Sequence, residues 1–301
     1  MAITRRELLK ISGATAAAAA GVTSLPGIAR ADESDGAAQP TTASNRDSVW
    51  RQDGRYFVQD TVDTTDLAQG VIRARVDGVW RGFRVRELND DFLDWNMIKR
   101  IEMMDNMMGG NFDIYNDAHN AAVGTYGALR GDSALSINVA YKGMGWVPRA
   151  DLIEERSQLY HDHAGDSTYS KMQTLKDGYH DRDLWRRDML GSLELYTTIN
   201  YETHTFLNQV ANPVSSICFL DSSPSFKVQT IARLMHYRDP NLTEEEQKIV
   251  TWINYAHEFF HGSPPLTVGF SAVAYYVVEQ FDNSPWGTTD DAGGHRVVPR
   301  M

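Results

Sequence analysis

The sequence predicts an α+β fold that is mostly helical and carries a β-hairpin in its N-terminal half. Three stretches support this prediction: the alternating runs around Asp77-Gly78, the periodic run from Asn89 to Met108, and the periodic run from Glu244 to His261. The first has the two-residue period of strands, and the other two have the period of a helix. The chain has no internal repeat, so we expect a single domain over residues 49–282.

The hairpin prediction rests on Asp77-Gly78, because an Asp-Gly pair between two alternating runs favours a two-residue turn. The flanking runs cover residues 71–76 and 79–85. They and the next residue carry five arginines: Arg73, Arg75, Arg81, Arg84 and Arg86. We expect these side chains to form a solvated face, and an anion-binding strip is the alternative.

The helix over residues 89–108 is predicted from its two ends. Asn89 can cap it, acidic residues follow in the first turn, and Gly109-Gly110 favours its end. Its methionines could suggest copper, since thioether sulfur binds that metal. Most of them share one helical face with Ile101, so we expect them to pack in the core instead.

The helix over residues 244–261 begins with a capping box, in which Thr243 and Glu246 each accept the other's backbone amide. One apolar stripe runs along it: Ile249, Ile253, Ala256 and Phe260. His257 borders this stripe, a position suited to lining a cleft.

Weaker patterns complete the fold prediction. We expect a flexible tail, rich in Gly, Asp and Pro, over residues 283–301. The remaining elements are a strand over 134–140, helices over 150–159, 183–210 and 225–237, and a helix or strand over 267–281.

The N-terminus has the features of an export signal. A charged segment containing Arg5-Arg6 precedes an Ala/Gly-rich apolar run, and Ala29-Arg30-Ala31 offers a cleavage site. The paired arginines resemble the twin-arginine signal family, which implies export of a folded protein by the Tat translocase. We therefore expect residues 1–31 to be a signal peptide, residues 32–48 to be a flexible leader, and the mature protein to be periplasmic or secreted.

Composition excludes two classes of partner. The chain has 29 basic and 40 acidic residues, and loss of the signal removes four basic residues and one acidic residue, which takes the net charge from −11 to about −14. This balance argues against a nucleic-acid partner. The rest of the chain has no apolar run of spanning length, so we expect no stable membrane insertion after cleavage.

Cys218 is the only cysteine, which excludes an internal disulfide and a cofactor held by several cysteines. It lies in the apolar run 217–220. We therefore expect a buried, unreactive thiol.

The strongest chemical motif is the H-E-x-x-H sequence from His257 to His261, at the end of a predicted helix. Residues four apart lie on one helical face, so His257 and His261 can bind one metal ion while Glu258 activates a bound water. The motif resembles the zincin family of zinc peptidases. The resemblance implies that both histidines are zinc ligands and that Glu258 is the catalytic general base.

A third ligand would complete this site. In gluzincins, which the motif resembles, a glutamate about twenty residues downstream supplies it, and Glu279 lies at a comparable spacing. The metal ligands predicted are therefore His257, His261 and Glu279. The function predicted is an exported zinc-dependent hydrolase, with a peptidase as the specific expectation.

The sequence contains two other candidate metal motifs. Glu258-x-x-His261 is also the repeated motif of di-iron carboxylate bundles, but the chain has one such pair rather than two. His161-Asp162-His163 could clamp a metal from an extended segment, and we expect it to be a polar helix end.

A different class of function is a non-catalytic small subunit that accompanies a larger exported redox enzyme, such as a flavin dehydrogenase. Folded export by the Tat route, which the signal implies, suits such a companion, because one signal can serve both chains. This alternative rests on analogy with the small subunits of membrane-linked flavin dehydrogenases.

Overall fold

The computed structural model describes residues 49–52, 54–110, 118–131, 133–220, 225–261, 269–282 and 295–299. The predicted signal peptide and leader lie outside these residues, as does most of the predicted tail. All described residues belong to one compact unit, Thr41–Met301.

Among the residues that the structure describes, helices and strands contribute about equally, at 34% and 35%. The helices in the described part of the chain are α1 (Asp90–Met108), α2 (Ile153–Asp162), α3 (Thr168–His180), α4 (His204–Ala211) and α5 (Glu244–His261). The strands are β1 (Trp50–Arg51), β2 (Tyr56–Phe57), β3 (Val62–Asp63), β4 (Val71–Val76), β5 (Val79–Arg84), β6 (Asn120–Tyr126), β7 (Ile137–Gly143), β8 (Met189–Glu194), β9 (Val214–Leu220), β10 (Ser225–Met235), β11 (Ser271–Asp282) and β12 (His295–Val298). The prediction of a mostly helical protein is therefore wrong, because the fold is a mixed α+β fold without helical dominance.

The helical prediction failed at two stretches that pair with the same strand. The helix predicted over 183–210 contains β8 and is α-helical only at its end, where α4 begins, and the helix predicted over 225–237 contains β10. Both strands are antiparallel neighbours of β11. The second half of β10 is buried on both faces. A strand buried on both faces forms a continuous apolar run, which periodicity cannot distinguish from a buried helix.

Seven strands of the described chain form one antiparallel sheet in the order β12-β11-β10-β9-β6-β7, with β8 pairing along the first half of β11. A bridge between Gly145 and Gly191, and a hydrogen bond of 2.8 Å from Ser192 Oγ to the Gly143 carbonyl, bring the chain after β7 to β8. The sheet therefore curls towards closure around its buried side. Helix α5 packs against β8 and β11, and α4 packs against β6, β7 and β10.

The predicted hairpin is formed by β4 and β5. Asp77 and Gly78 have φ angles of 50° and 79°, and a type I′ turn requires positive φ at both positions. The Asp77 carboxylate accepts hydrogen bonds of 3.2 Å from the Tyr126 hydroxyl and the Asn212 side-chain amide. These contacts anchor the turn to the end of β6.

Both predicted helix starts are present. At the start of α1, Asn89 Oδ1 accepts the Phe92 amide at 3.0 Å, and several methionines of this helix are buried in the core as predicted. At the start of α5, Thr243 Oγ1 accepts the Glu246 amide at 3.2 Å and the Glu246 carboxylate accepts the Thr243 amide at 2.9 Å. In the described part of the chain, no helix has the length and apolar character needed to cross a bilayer.

Candidate functional site

The two histidines of the H-E-x-x-H motif lie side by side at the end of α5. Their ring centroids are 4.5 Å apart, as expected for residues four apart on one helical face. The side chain of His261 is exposed and that of His257 is half-buried. The sequence therefore placed these two side chains together correctly.

Glu258 lies in the protein interior rather than in a cleft open to water. It is 3% exposed, and its Oε1 has no hydrogen-bond partner among the described residues. Lys171 of α3 interacts electrostatically with this carboxylate, and its Nζ lies 5.8 Å from the centroid of the Phe259 ring. A general base has to contact the water that it activates, whereas this carboxylate is removed from solvent.

Glu279, the predicted third ligand, belongs to the sheet. It lies on β11 opposite Gln229 of β10 and forms an ion pair with Arg296 at 3.2 Å. Across the residues that the structure describes, no group of three or more His, Cys, Asp or Glu side chains is arranged to hold a metal ion. Glu279 therefore does not complete a site with the two histidines, and the predicted zinc cofactor is wrong.

A third histidine, His119, adjoins the motif from the chain just before β6. It stacks on Phe260 with a centroid separation of 5.0 Å, and Phe260 in turn contacts His261 edge-on at 4.9 Å. Arg100 Nη1 lies 3.4 Å from His119 Nδ1. Because a guanidinium can only donate, this nitrogen accepts and the His119 ring is neutral. The sequence contains no signal that links His119 to a motif so far along the chain.

Burial makes these histidines resist protonation. Burial, with a smaller contribution from His261, lowers the pKa of His257 to about 4. Burial also holds the pKa of His119 well below its usual value. Outside this cluster, burial is the main cause that lowers the pKa of His236 to about 4. The folded protein therefore keeps these rings neutral at pH values where free histidine is protonated.

We expect the free energy of unfolding to fall as the pH drops from about 6.5, the ordinary pKa of histidine, to about 4, the pKa of His257. In this range the unfolded chain binds protons on these histidines and the folded chain does not. Stability is therefore lost at about 1.4 kcal/mol per pH unit for each such histidine. Urea unfolding at a series of pH values measures this slope.

The matched variants for this measurement are His257→Phe and His180→Phe. The first should make the slope shallower, because it removes one buried imidazole. The second changes an exposed histidine at the end of α3 and should keep the wild-type slope. Equal slopes in all three proteins would contradict the assignment to His257.

The His161-Asp162-His163 segment does not form a metal clamp in the structure. The His161 ring stacks on Tyr255 of α5 with a centroid separation of 4.6 Å, and His163 Nδ1 lies 2.9 Å from an oxygen of Asp166. The two rings thus have different local partners at the polar end of α2.

A second candidate site is an exposed apolar surface on the outer side of the sheet. Alternate residues of β6, β7 and β9 point outward in register. We call these residues the open face: Ala122, Gly124, Tyr126, Ile137, Val139, Tyr141, Ser216, Cys218 and Leu220. On β7 the exposed fractions of Ile137, Val139 and Tyr141 are 63%, 63% and 75%. Contiguous exposed apolar side chains of this kind mark interaction surfaces more often than inert ones.

The open face consists of a ridge beside a groove. The large side chains of β7 form the ridge. The register places Tyr141 opposite Ala122 of β6, and Ala122 opposite Cys218 of β9. Val139 likewise lies opposite Gly124, and Gly124 lies opposite Ser216. Small residues therefore occupy the middle of β6 and β9, and the larger Tyr126 and Leu220 lie towards the ends of these strands. The groove can therefore receive bulky side chains of a docked protein.

The exposure of Cys218 on this face corrects the prediction of a buried thiol. The run 217–220 is apolar throughout, but in β9 its residues alternate between the two sides of the sheet. Ile217 and Phe219 are buried, whereas Cys218 and Leu220 are exposed. A strand with apolar residues on both faces has the same sequence pattern as a buried run.

Comparisons with known proteins identify no family for this chain. No protein-family model matches it, and no curated protein matches it. Among solved structures it is similar to a Clostridium acetobutylicum protein related to general stress protein 26 of B. subtilis, of the pyridoxinephosphate oxidase family. The TM-score is 0.32, and the two chains are 7% identical over 70% of this chain and 98% of that chain. A likeness at this level carries no argument about function.

The prediction of a zinc-dependent hydrolase is therefore wrong. Its third ligand lies in an ion pair on the sheet, its general base is buried, and the described residues assemble no metal site.

Proposed function

We propose that this chain is a binding protein that docks a larger protein partner through the open face. The observation that carries the proposal is the exposed row Ile137, Val139 and Tyr141 on β7. Removing such side chains from water stabilises a complex by roughly 25 cal/mol for each Å² of apolar surface. Tyrosine is also among the residues that contribute most to binding at the centre of interfaces.

The surroundings of the open face suit a protein interface. Beyond the groove, Lys227 of β10 lies opposite Cys218, and its Nζ is 4.2 Å from the centroid of the Phe281 ring. In the next row, Glu279 pairs with Arg296. An apolar centre bordered by charged groups is the usual anatomy of a protein–protein interface.

The N-terminal sequence supports the choice of partner. Arg5-Arg6 and the run that follows resemble a twin-arginine signal. Export of folded protein by the Tat translocase would allow a chain that lacks its own signal to travel bound to this one. We therefore propose a larger exported redox enzyme as the partner, and the periplasm or the exterior as the destination.

Val139→Asp should reduce capture of the partner at least tenfold. The substitution places a charge at the centre of the ridge, where docking would remove it from water. The measurement is affinity capture from the exported fraction by the full-length tagged chain, with the larger protein quantified by mass spectrometry. Ile98→Asp is the matched control, because Ile98 is a similarly exposed aliphatic residue on α1 (54%) and should leave capture unchanged.

Three outcomes would overturn this proposal. The first is equal capture by wild type, Val139→Asp and Ile98→Asp, and the second is no capture of a larger protein by the wild type. The third is a wild-type chain that is dimeric by light scattering and becomes monomeric in Val139→Asp while its capture of other proteins is unaffected. The open face would then be an interface between two copies of this chain.

A further inference from the structure

The β4–β5 hairpin adjoins the open face and differs in charge from the rest of the protein. Residues 71–86 contain five arginines and a single acidic residue, Asp77, in a chain of net charge −11. The Asp77 carboxylate contacts the hydroxyl of Tyr126, which belongs to the open face, at 3.2 Å. The hairpin is therefore attached at the border of the proposed docking surface.

One side of this hairpin combines an exposed tryptophan with three arginines. The register places Trp80 opposite Arg75, with Arg73 and Arg84 projecting on the same side. We call these four side chains the arginine face. Trp80 is 43% exposed, and the Arg73 guanidinium carbon lies 5.8 Å from the centroid of its ring. This contact holds the guanidinium beside the indole without removing either from solvent.

The positive charge of the arginine face is only partly compensated. Arg73 and Arg75 approach the carboxylates of Asp63 and Asp60 at 3.5 Å, whereas a strong charged hydrogen bond measures about 2.7–2.9 Å. Arg84 donates to the backbone carbonyl of residue 69 at 3.1 Å, a partner without net charge. Carboxylates of another molecule can therefore form better contacts than those already present.

We infer that the arginine face binds an acidic segment of the protein that docks on the open face. This inference rests on the proposed function and names the chemistry of its partner. Guanidinium groups bind carboxylates through paired hydrogen bonds, and tryptophan and arginine are the residues most enriched at energetic centres of interfaces. Because the hairpin meets the open face at the Asp77–Tyr126 contact, the partner inferred is a protein whose apolar docking surface adjoins a run of Asp or Glu.

The first experiment uses a fluorescein-labelled peptide of ten glutamates as the probe and a peptide of ten lysines as its control. Fluorescence anisotropy with the full chain should show binding of the glutamate peptide that weakens as salt rises from about 0.05 to 0.2 M, because salt screens exposed charges. The double variant Trp80→Ala/Arg84→Glu should weaken this binding at least fivefold. Arg55→Glu, a charge reversal at an exposed arginine outside the hairpin, should have no comparable effect. The inference would be overturned if the wild type does not bind the glutamate peptide. It would also be overturned if Trp80→Ala/Arg84→Glu and Arg55→Glu bind this peptide equally well.

The second experiment separates this inference from the proposed function. Val139→Asp should lower partner capture at least tenfold and leave binding of the glutamate peptide intact, since that peptide has no apolar side chains. Trp80→Ala/Arg84→Glu should lower partner capture five- to tenfold. Full capture by the hairpin variant would show that the partner docks without an acidic contact. If the wild type captures no partner, the proposed function is overturned. The peptide measurement would still show whether the arginine face binds acidic segments.

Discussion

Replacing Glu246 with alanine will lower the free energy of unfolding by about 3–5 kcal/mol. Glu246 is 3% exposed, and one of its oxygens accepts Arg233 Nε at 2.7 Å while the other accepts the Thr243 amide at 2.9 Å. Its removal leaves the buried guanidinium of Arg233 without a carboxylate. This loss destabilises the fold more than the loss of the hydrogen bond to the Thr243 amide. The Thr243 amide also loses its side-chain acceptor, whereas the Thr243 hydroxyl can still accept the backbone amide of residue 246.

Thermal unfolding of the purified chain measures this effect as a drop in melting temperature of roughly 10 °C, given the size of the protein. Glu245→Ala is the control in the same helical turn. Glu245 contacts Arg186 at the surface, where its side chain is half exposed, and such pairs contribute about 0–1 kcal/mol. A Glu246→Ala protein as stable as Glu245→Ala would show that the Arg233 pair contributes little.

Replacing Glu194 with alanine is expected to destabilise the fold by about 3 kcal/mol. Glu194 ends β8 and is 3% exposed, and it forms an ion pair with Lys142 of β7, whose side chain is 10% exposed. The Thr203 hydroxyl also donates to it at 3.1 Å. The alanine variant therefore leaves a largely buried ammonium group without its partner.

The double variant Lys142→Met/Glu194→Leu tests the cause of that loss. It removes both charges and keeps much of the apolar volume, so most of the stability should return. Urea unfolding of the wild type, the single variant and the double variant completes the comparison. If the double variant is as unstable as Glu194→Ala, the loss comes from packing and not from the unpaired ammonium.

Features that depend on a few neighbouring residues could be predicted from the sequence. The capping box of Thr243 and Glu246 and the Asp77-Gly78 turn are complete within four residues, and both are present. The strands β8 and β10 were predicted as helices because their identity depends on β11, which lies many residues later. Thr243 and Glu246 are three residues apart, so their capping box could be predicted. Arg233 lies on another element, so its pairing with Glu246 could not.

Helix α3 was missed although local signals for it exist. Ser167 accepts the Ser170 amide as an N-cap at 3.2 Å. Met172, Leu175 and Tyr179 form a buried stripe at helical spacing. The cap and this stripe together would have been sufficient to predict a helix after His163.

At the candidate sites, too, contacts between neighbouring residues could be predicted, and contacts that depend on the tertiary fold could not. The four-residue spacing of His257 and His261 predicted that their rings meet, but the burial of Glu258 and the strand position of Glu279 depend on the tertiary fold. Neither could be derived from the motif. Helical spacing brings ligands to one face, whereas the third ligand and access to water are decided by other elements.

The open face inverts the pattern that sequence reasoning assumes for a half-buried strand. In β7 the apolar residues point to solvent, while Asn138 and Lys142 point inward to Thr205 and Glu194. An alternating strand is normally read with its apolar side towards the core. Only the tertiary partners of Asn138 and Lys142 reveal that the polar side is the inner one.

The position of Cys218 provides a reporter that requires no engineering. It is the only thiol in the chain, it is exposed, and it lies in the groove beside the ridge. A nitroxide attached to the natural protein would therefore label one defined point of the open face. Its electron spin resonance spectrum would broaden when the groove is occupied, so occupancy could be followed in solution before the occupant is known.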